Sequence, residues 1–161
     1  MATLPQLIEE DVLHLDKSLR EFISQTDATA ALIIDKGGFL IAHHGDDSQF
    51  DMTTIGALAS GAFMANQTIA GLVNESNFNS VYQQGEKYSM LVVNVDEYCL
   101  IITIFDAAIG VGVMKYYVAG TIKQVAEALA TARNRNPDGG VDLSMLNLAD
   151  TQSVFRKREG E

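Results

Sequence analysis

From residue 7 to residue 23, apolar side chains recur every three or four positions (Leu7, Ile8, Val12, Leu15, Leu19, Phe22, Ile23), with Glu9, Glu10, Asp16, Lys17 and Arg20 between them. That period predicts an amphipathic helix with one buried stripe. The pattern then changes to two short apolar runs, 30–34 and 39–43, on either side of Asp35-Lys36-Gly37-Gly38, which predicts a hairpin closed by glycine. A polar loop over 44–50 leads to Asp51, whose carboxylate can accept from the first unpaired N–H groups of a second helix running to about Val73.

The second helix is crowded with small residues: Gly56, Ala57, Ala59, Ser60, Gly61, Ala62, Ala65, Ala70 and Gly71. One stripe reads Ile55, Leu58, Ala62, Ile69, Val73, and another reads Ala57, Gly61, Ala65, Thr68, Leu72. Two apolar or small faces predict a helix covered on both sides. Glycine costs about 1 kcal/mol against alanine in a helix interior, so Gly56, Gly61 and Gly71 call for a compensating close approach. Either the helix sits tightly on its own sheet or another backbone approaches it, and a sheet needs only one face.

Three further strands are predicted over 79–83, 88–95 and 98–105, separated by Gly85-Glu86 and Asp96-Glu97, as an antiparallel meander. In the last, Tyr98, Leu100, Ile102 and Ile104 alternate with Cys99, Ile101, Thr103 and Phe105, with no charge on either face. Such a strand belongs at the centre of a sheet with helices on both sides. Asn79, Ser80, Gln83 and Gln84 make the first of the three polar, and an edge position is expected for it. A third helix is predicted over 113–135, with Tyr117, Ile122, Val125, Ala126 and Leu129 on one face and Arg133 and Arg135 at its negative end. Asn136-Pro137-Asp138-Gly139-Gly140 stops it. The chain therefore divides into a domain over 1–135 and a linker with a polar tail over 136–161.

Composition narrows the function. The 161 residues carry 11 Lys and Arg against 21 Asp and Glu, a formal net charge of -10. Nucleic-acid binding needs basic residues gathered on one face, and Arg156-Lys157-Arg158 is the one basic cluster, so nucleic acid is not expected as a partner. The densest apolar stretch, 99–114, is broken by Asp106 and falls short of the ~18 residues of a membrane span. Membrane insertion is not expected. The single cysteine leaves no disulfide framework, and the N-terminus has no basic start or apolar run, so a cytoplasmic location is expected.

Motifs that carry chemistry are scarce. His43-His44 with Asp46-Asp47 could ligate a metal, but adjacent strand residues point to opposite faces, and a strand end running into a polar loop is the plainer reading. Cys99 lies in the most apolar strand, where core packing is the default. Gly110-Val111-Gly112 precedes a helix, yet the third glycine of a dinucleotide fingerprint is Lys115 here, and no phosphate-binding P-loop occurs. Neither a metal nor a cofactor is expected, nor an active site of the chain's own.

On these residues the chain resembles the Roadblock / dynein light chain family, and most closely its bacterial MglB-type members. The resemblance runs from about residue 31 to residue 129. It is carried by Leu32-Ile33-Ile34-Asp35-Lys36-Gly37-Gly38-Phe39-Leu40-Ile41, by Ala57-Leu58-Ala59-Ser60-Gly61, by Gln84-Gly85-Glu86-Lys87, by Ile102-Thr103-Ile104-Phe105-Asp106 and by Gly112-Val113-Met114-Lys115. It implies an α+β fold of order α-β-β-α-β-β-β-α, a five-stranded antiparallel sheet with the small-residue helix on one face and two helices on the other. The periodicities above predict the same order of elements.

The resemblance further implies a homodimer, with the middle helices side by side and the third strands joining the two sheets. Ala57, Gly61, Ala65, Ser80, Val81 and Tyr82 are the interface candidates. MglB-like proteins regulate Ras-like small GTPases of the MglA type in polarity and motility systems, and the paired middle helices form the docking surface. By position, the docking candidates are Thr53, Thr54, Ser60, Met64, Gln67 and Thr68. The resemblance implies that hydrolysis is stimulated by reshaping the GTPase's own switch regions, without an inserted arginine; the chain fits this, since there is no Lys or Arg between Lys36 and Lys87 and the docking helix has no arginine finger to supply. The last helix is about one turn longer than in such relatives, and the tail carries the basic cluster Arg156-Lys157-Arg158; Leu143, Leu146 and Phe155 are candidates for a C-terminal contact with the GTPase, a disordered tail being the alternative. A dimeric scaffold that leaves hydrolysis unchanged, and a small-ligand sensor of related fold, are the other readings.

Overall fold

The computed structural model describes residues 4–46 and 48–135. Alternation along the strands decides which residues meet which helix. In chain order the elements are α1 (Glu9–Thr26), β1 (Ala30–Asp35), β2 (Leu40–Gly45), α2 (Met52–Leu72), β3 (Ser80–Gln84), β4 (Tyr88–Asn94), β5 (Cys99–Asp106) and α3 (Val111–Arg135). The strands form one antiparallel sheet of order β2-β1-β5-β4-β3. β5 is central, as its two apolar faces require, and β2 and β3 are the edges.

One side of the sheet offers Ala31, Ile33, Leu91, Val93, Cys99, Ile101 and Phe105 to Leu15, Leu19 and Phe22 of α1 and to Met114, Val118, Val125 and Leu129 of α3. The other side offers Ala30, Leu32, Ile34, Val92, Leu100, Ile102 and Ile104 to Met52, Ala59 and Phe63 of α2 alone. Tyr98, just ahead of β5, departs from the expected alternation and joins the α1/α3 side, where the Arg133 guanidinium lies over its ring.

Helix ends are set by local chemistry. In the first turn of α1 the Asp11 carboxylate accepts from the Ile8 N–H (2.8 Å), and Asp27 closes the helix in the left-handed region (φ 57°). Asp51 caps α2 as expected, accepting from the Thr54 N–H (3.1 Å) and hydroxyl (2.6 Å). α1 and α3 lie antiparallel, since Asp11 meets Arg135 at one end and Glu21 meets Gln124 further along. Both guanidinium nitrogens of Arg135 reach Asp11 (2.9 and 3.0 Å). Burial opposes the charge on Asp11, but Arg135 and the Ile8 N–H outweigh it and hold the carboxyl below its ordinary pKa.

Two helix faces differ from expectation. α3 buries Met114, Val118, Thr121, Val125, Leu129 and Ala132, leaving Tyr117, Ile122 and Ala126 at the boundary. α2 buries neither predicted stripe: its inward face is Met52, Gly56, Ala59, Ser60, Phe63 and Ala70. Phe63 supplies bulk at the centre, and the small residues around it let the helix come close. A Cβ on Gly56 would lie 3.0 Å from the Ile34 methyl, and one on Gly38, in the β1–β2 turn at φ 95°, 3.1 Å from the Ala57 Cα.

Candidate functional site: a protein-interaction surface

With its inward face assigned, α2 turns both predicted stripes outward, apart from half-buried Ile55. Leu58 (69% exposed), Met64, Ile69, Leu72 (79%) and the C-cap Val73 account for five of the nine exposed large apolar side chains among the described residues. No charged residue occurs from Met52 to Asn74. Around Gly61 and Gly71 there is nothing within 4 Å of a built Cβ. Gly56 is therefore explained by the protomer's own packing, and Gly61 and Gly71 are not.

The surface continues off the helix. Beside α2 a shallow trough of about 360 Å³ is lined by Phe50, Ile55, Tyr88, Met90 and Ile104 and by the end of β3. The Phe50 ring packs edge-on against Tyr88, whose hydroxyl bonds Gln49 (3.1 Å), so the loop before α2 closes one end.

Beyond the trough lies β3, and the two sheet edges differ. At β2 the register shifts between Ile33 and Ile34, passing over Ile41, and such a bulge bends an edge away from further pairing. β3 pairs with β4 without interruption and carries no charge and no proline. Asn94 N–H donates to the Asn79 carbonyl (3.0 Å), so by alternation Val81 and Gln83 turn their backbone groups toward β4. Ser80, Tyr82 and Gln84 turn theirs outward. At the start of the strand Gln67 of α2 holds Phe78: its Nε2 donates to the Phe78 carbonyl (2.8 Å), and its Oε1 accepts from the Phe78 N–H (3.3 Å).

The expected site residues divide accordingly. Ala57, Gly61 and Ala65 are exposed on α2, with Thr53, Thr54, Met64 and Thr68 beside them. Ser60 is not on that surface: it is buried, and its hydroxyl donates to the Lys36 carbonyl (2.7 Å), anchoring α2 to the β1–β2 turn. Gln67 is half-buried and engaged with Phe78. Ser80 and Val81 are half-buried; Val81 packs toward α2, whereas Tyr82 is on the opposite side of the sheet, stacked on Phe105 (6.3 Å). Leu143, Leu146 and Phe155 lie outside the described residues. His43 and His44 point to opposite faces, and no group of three or more His, Cys, Asp or Glu is placed to hold a metal among the described residues. Burial pushes the Cys99 thiol far up, helped by Asp96 and Asp35. Among the described residues no helix is long and apolar enough to cross a membrane.

These features define a small α+β domain whose most distinctive part is a presented helix face beside an open strand edge. A Roadblock/LC7 domain model matches residues 15–105, more than half of the chain, and the protein belongs to that family. Among solved structures it is similar to a gliding protein MglB from Thermus thermophilus (25% identity, TM-score 0.74, covering 81% of this chain and 99% of that one). It is also similar to an MglB described as having a tetrameric arrangement (24%, TM-score 0.75, 82% and 99%) and to MglB of Myxococcus xanthus (20%, TM-score 0.73, 79% and 96%). No curated protein matches the sequence.

Proposed function

We propose that this protein is a homodimeric regulator of a Ras-like small GTPase of the MglA type, in a bacterial polarity or motility system, and that it accelerates GTP hydrolysis. The observation that carries the reading is the outward face of α2: uncharged, apolar, and with two glycines whose space the protomer does not use. Family membership and the likeness to MglB structures support a partner of this class. Self-association uses Ala57, Gly61 and Ala65 together with β3, and the GTPase docks on Thr53, Thr54, Met64 and Thr68. The outward face of α2 carries no Lys or Arg to offer the transferred phosphoryl group, which supports acceleration by reshaping of the GTPase's own catalytic loops, as the resemblance implies.

The test is GTP turnover by a candidate MglA-type GTPase with and without this protein. An increased rate is expected; binding at an unchanged rate would leave the dimeric scaffold as the function. Gly61→Arg, at a position with open space around it, is expected to fold normally and to lose self-association. A folded Gly61→Arg variant that stays dimeric and still binds the GTPase would show that this face is wrongly assigned.

A further inference from the structure

We propose that Gln67 sets the register in which β3 pairs with β3 of a second copy, placing Tyr82 on the two-fold axis. The inference rests on the self-association reading above and adds the alignment of the two strands. Hydrogen-bonded pairs in an antiparallel ladder must bring outward-turned residues opposite one another, and in β3 these are Ser80, Tyr82 and Gln84. With the axis at Tyr82, Ser80 faces the partner's Gln84, Tyr82 faces the partner's Tyr82, and Gln84 faces the partner's Ser80. Every outward residue is used, giving about six interchain hydrogen bonds at two per pair.

The competing alignment has its axis at Val81. There Ser80 faces the partner's Tyr82, and a further pair forms at each end between Phe78 and the partner's Gln84, provided that the Phe78 backbone is open. It is closed, because the primary amide of Gln67 already takes both its N–H and its carbonyl, as a neighbouring strand would. This alignment therefore keeps two pairs against three for the axis at Tyr82. Moving the axis the other way, to Gln83, sets Ser80 against the partner's Glu86. That residue belongs to the β3–β4 turn, where Gly85 is packed against the Tyr88 carbonyl. Gln67 thus decides between the two alignments that β3 allows, and it does so from the helix that presents the other half of the surface.

The experiment is oxidative cross-linking of full-length single-cysteine variants. Cys99 can remain in place, since it is fully buried. Tyr82→Cys is expected to form the disulfide-linked dimer several-fold faster than Val81→Cys. In a Gln67→Leu background, which opens Phe78, the order should reverse. Because Tyr82→Cys gives up the stack on Phe105, a mixture of Ser80→Cys and Gln84→Cys provides a second readout, in which the mixed disulfide should outweigh both homodimers. An unchanged order with Gln67→Leu, or faster cross-linking through Val81→Cys in the natural background, overturns the proposal. A monomeric mass in solution, with no cross-link at any β3 position, overturns the self-association reading and this alignment with it.

Discussion

The two faces of the sheet are built from the same kind of strand residue and finished differently. On one, α1 and α3 lie side by side, and the Asp11–Arg135 pair ties the first turn of one to the last turn of the other. On the other, α2 stands alone and carries large apolar side chains outward as well as inward. The first face is closed by intrachain contacts; the second holds the protomer together and still presents a surface. The difference teaches that hydrophobicity alone does not separate a protomer's core from its exposed apolar face, because Leu72 and Phe63 are on one helix and only Phe63 is covered.

Large-to-small changes probe the difference hardest. Phe22→Ala, under α1 and α3, should cost about 3–5 kcal/mol in denaturant unfolding. Phe63→Ala should fall at the lower end of that range, since a lone helix can settle into the space. Equal losses would mean that the α2 face is as rigidly packed as the other.

Next is the tie between α1 and α3. Arg135→Leu leaves the buried Asp11 carboxylate with the Ile8 N–H but without its cation, an expected loss of about 1–3 kcal/mol. The sign of its pH dependence follows from the lowered Asp11 pKa. The stabilisation is complete above the ordinary value of 3.8 and is lost as pH falls through the lower folded value. Unfolding measured from pH 6 down to pH 2 should therefore show a smaller acid-dependent loss in Arg135→Leu than in the natural protein.

On the α2 side, Ser60→Ala removes the bond to the Lys36 carbonyl and should cost about 1 kcal/mol. The smallest stability effects belong to the outward residues. Leu58→Ser and Leu72→Ser should stay within about 0.5 kcal/mol of the natural protein, while the proposed self-association, followed by sedimentation, should weaken at least about tenfold. If Leu72→Ser destabilised the protomer as much as Phe63→Ala does, the contrast between the two sides of α2 would collapse.

Much of the fold was legible from residue spacing. The two charge-free faces of β5 placed it centrally, the polar composition of β3 placed it at an edge, and Asp51 marked the start of α2. The face of α2 was misjudged because nearly every position on it is small or apolar, and a pattern with little contrast does not say which side a sheet will take. Ser60 looked like part of an exposed surface for the same reason; its partner Lys36 is 24 positions away, beyond any helical spacing. Gln67 was recognised as belonging to the candidate surface but not for what it holds, since a glutamine in a helix carries no local sign of a bond to the backbone of Phe78.

By itself the sequence determined the order of elements, the strand that lies at the centre and the strand that is left at the edge. Those properties depend on local periodicity and on how many faces of each segment are apolar. Only the tertiary structure decided which side of α2 meets the sheet, that Gly61 and Gly71 have no use within the protomer, and that Arg135 closes on Asp11 across 124 positions. Each of these is a contact between segments distant along the chain, and such contacts leave no trace in spacing until the chain has folded.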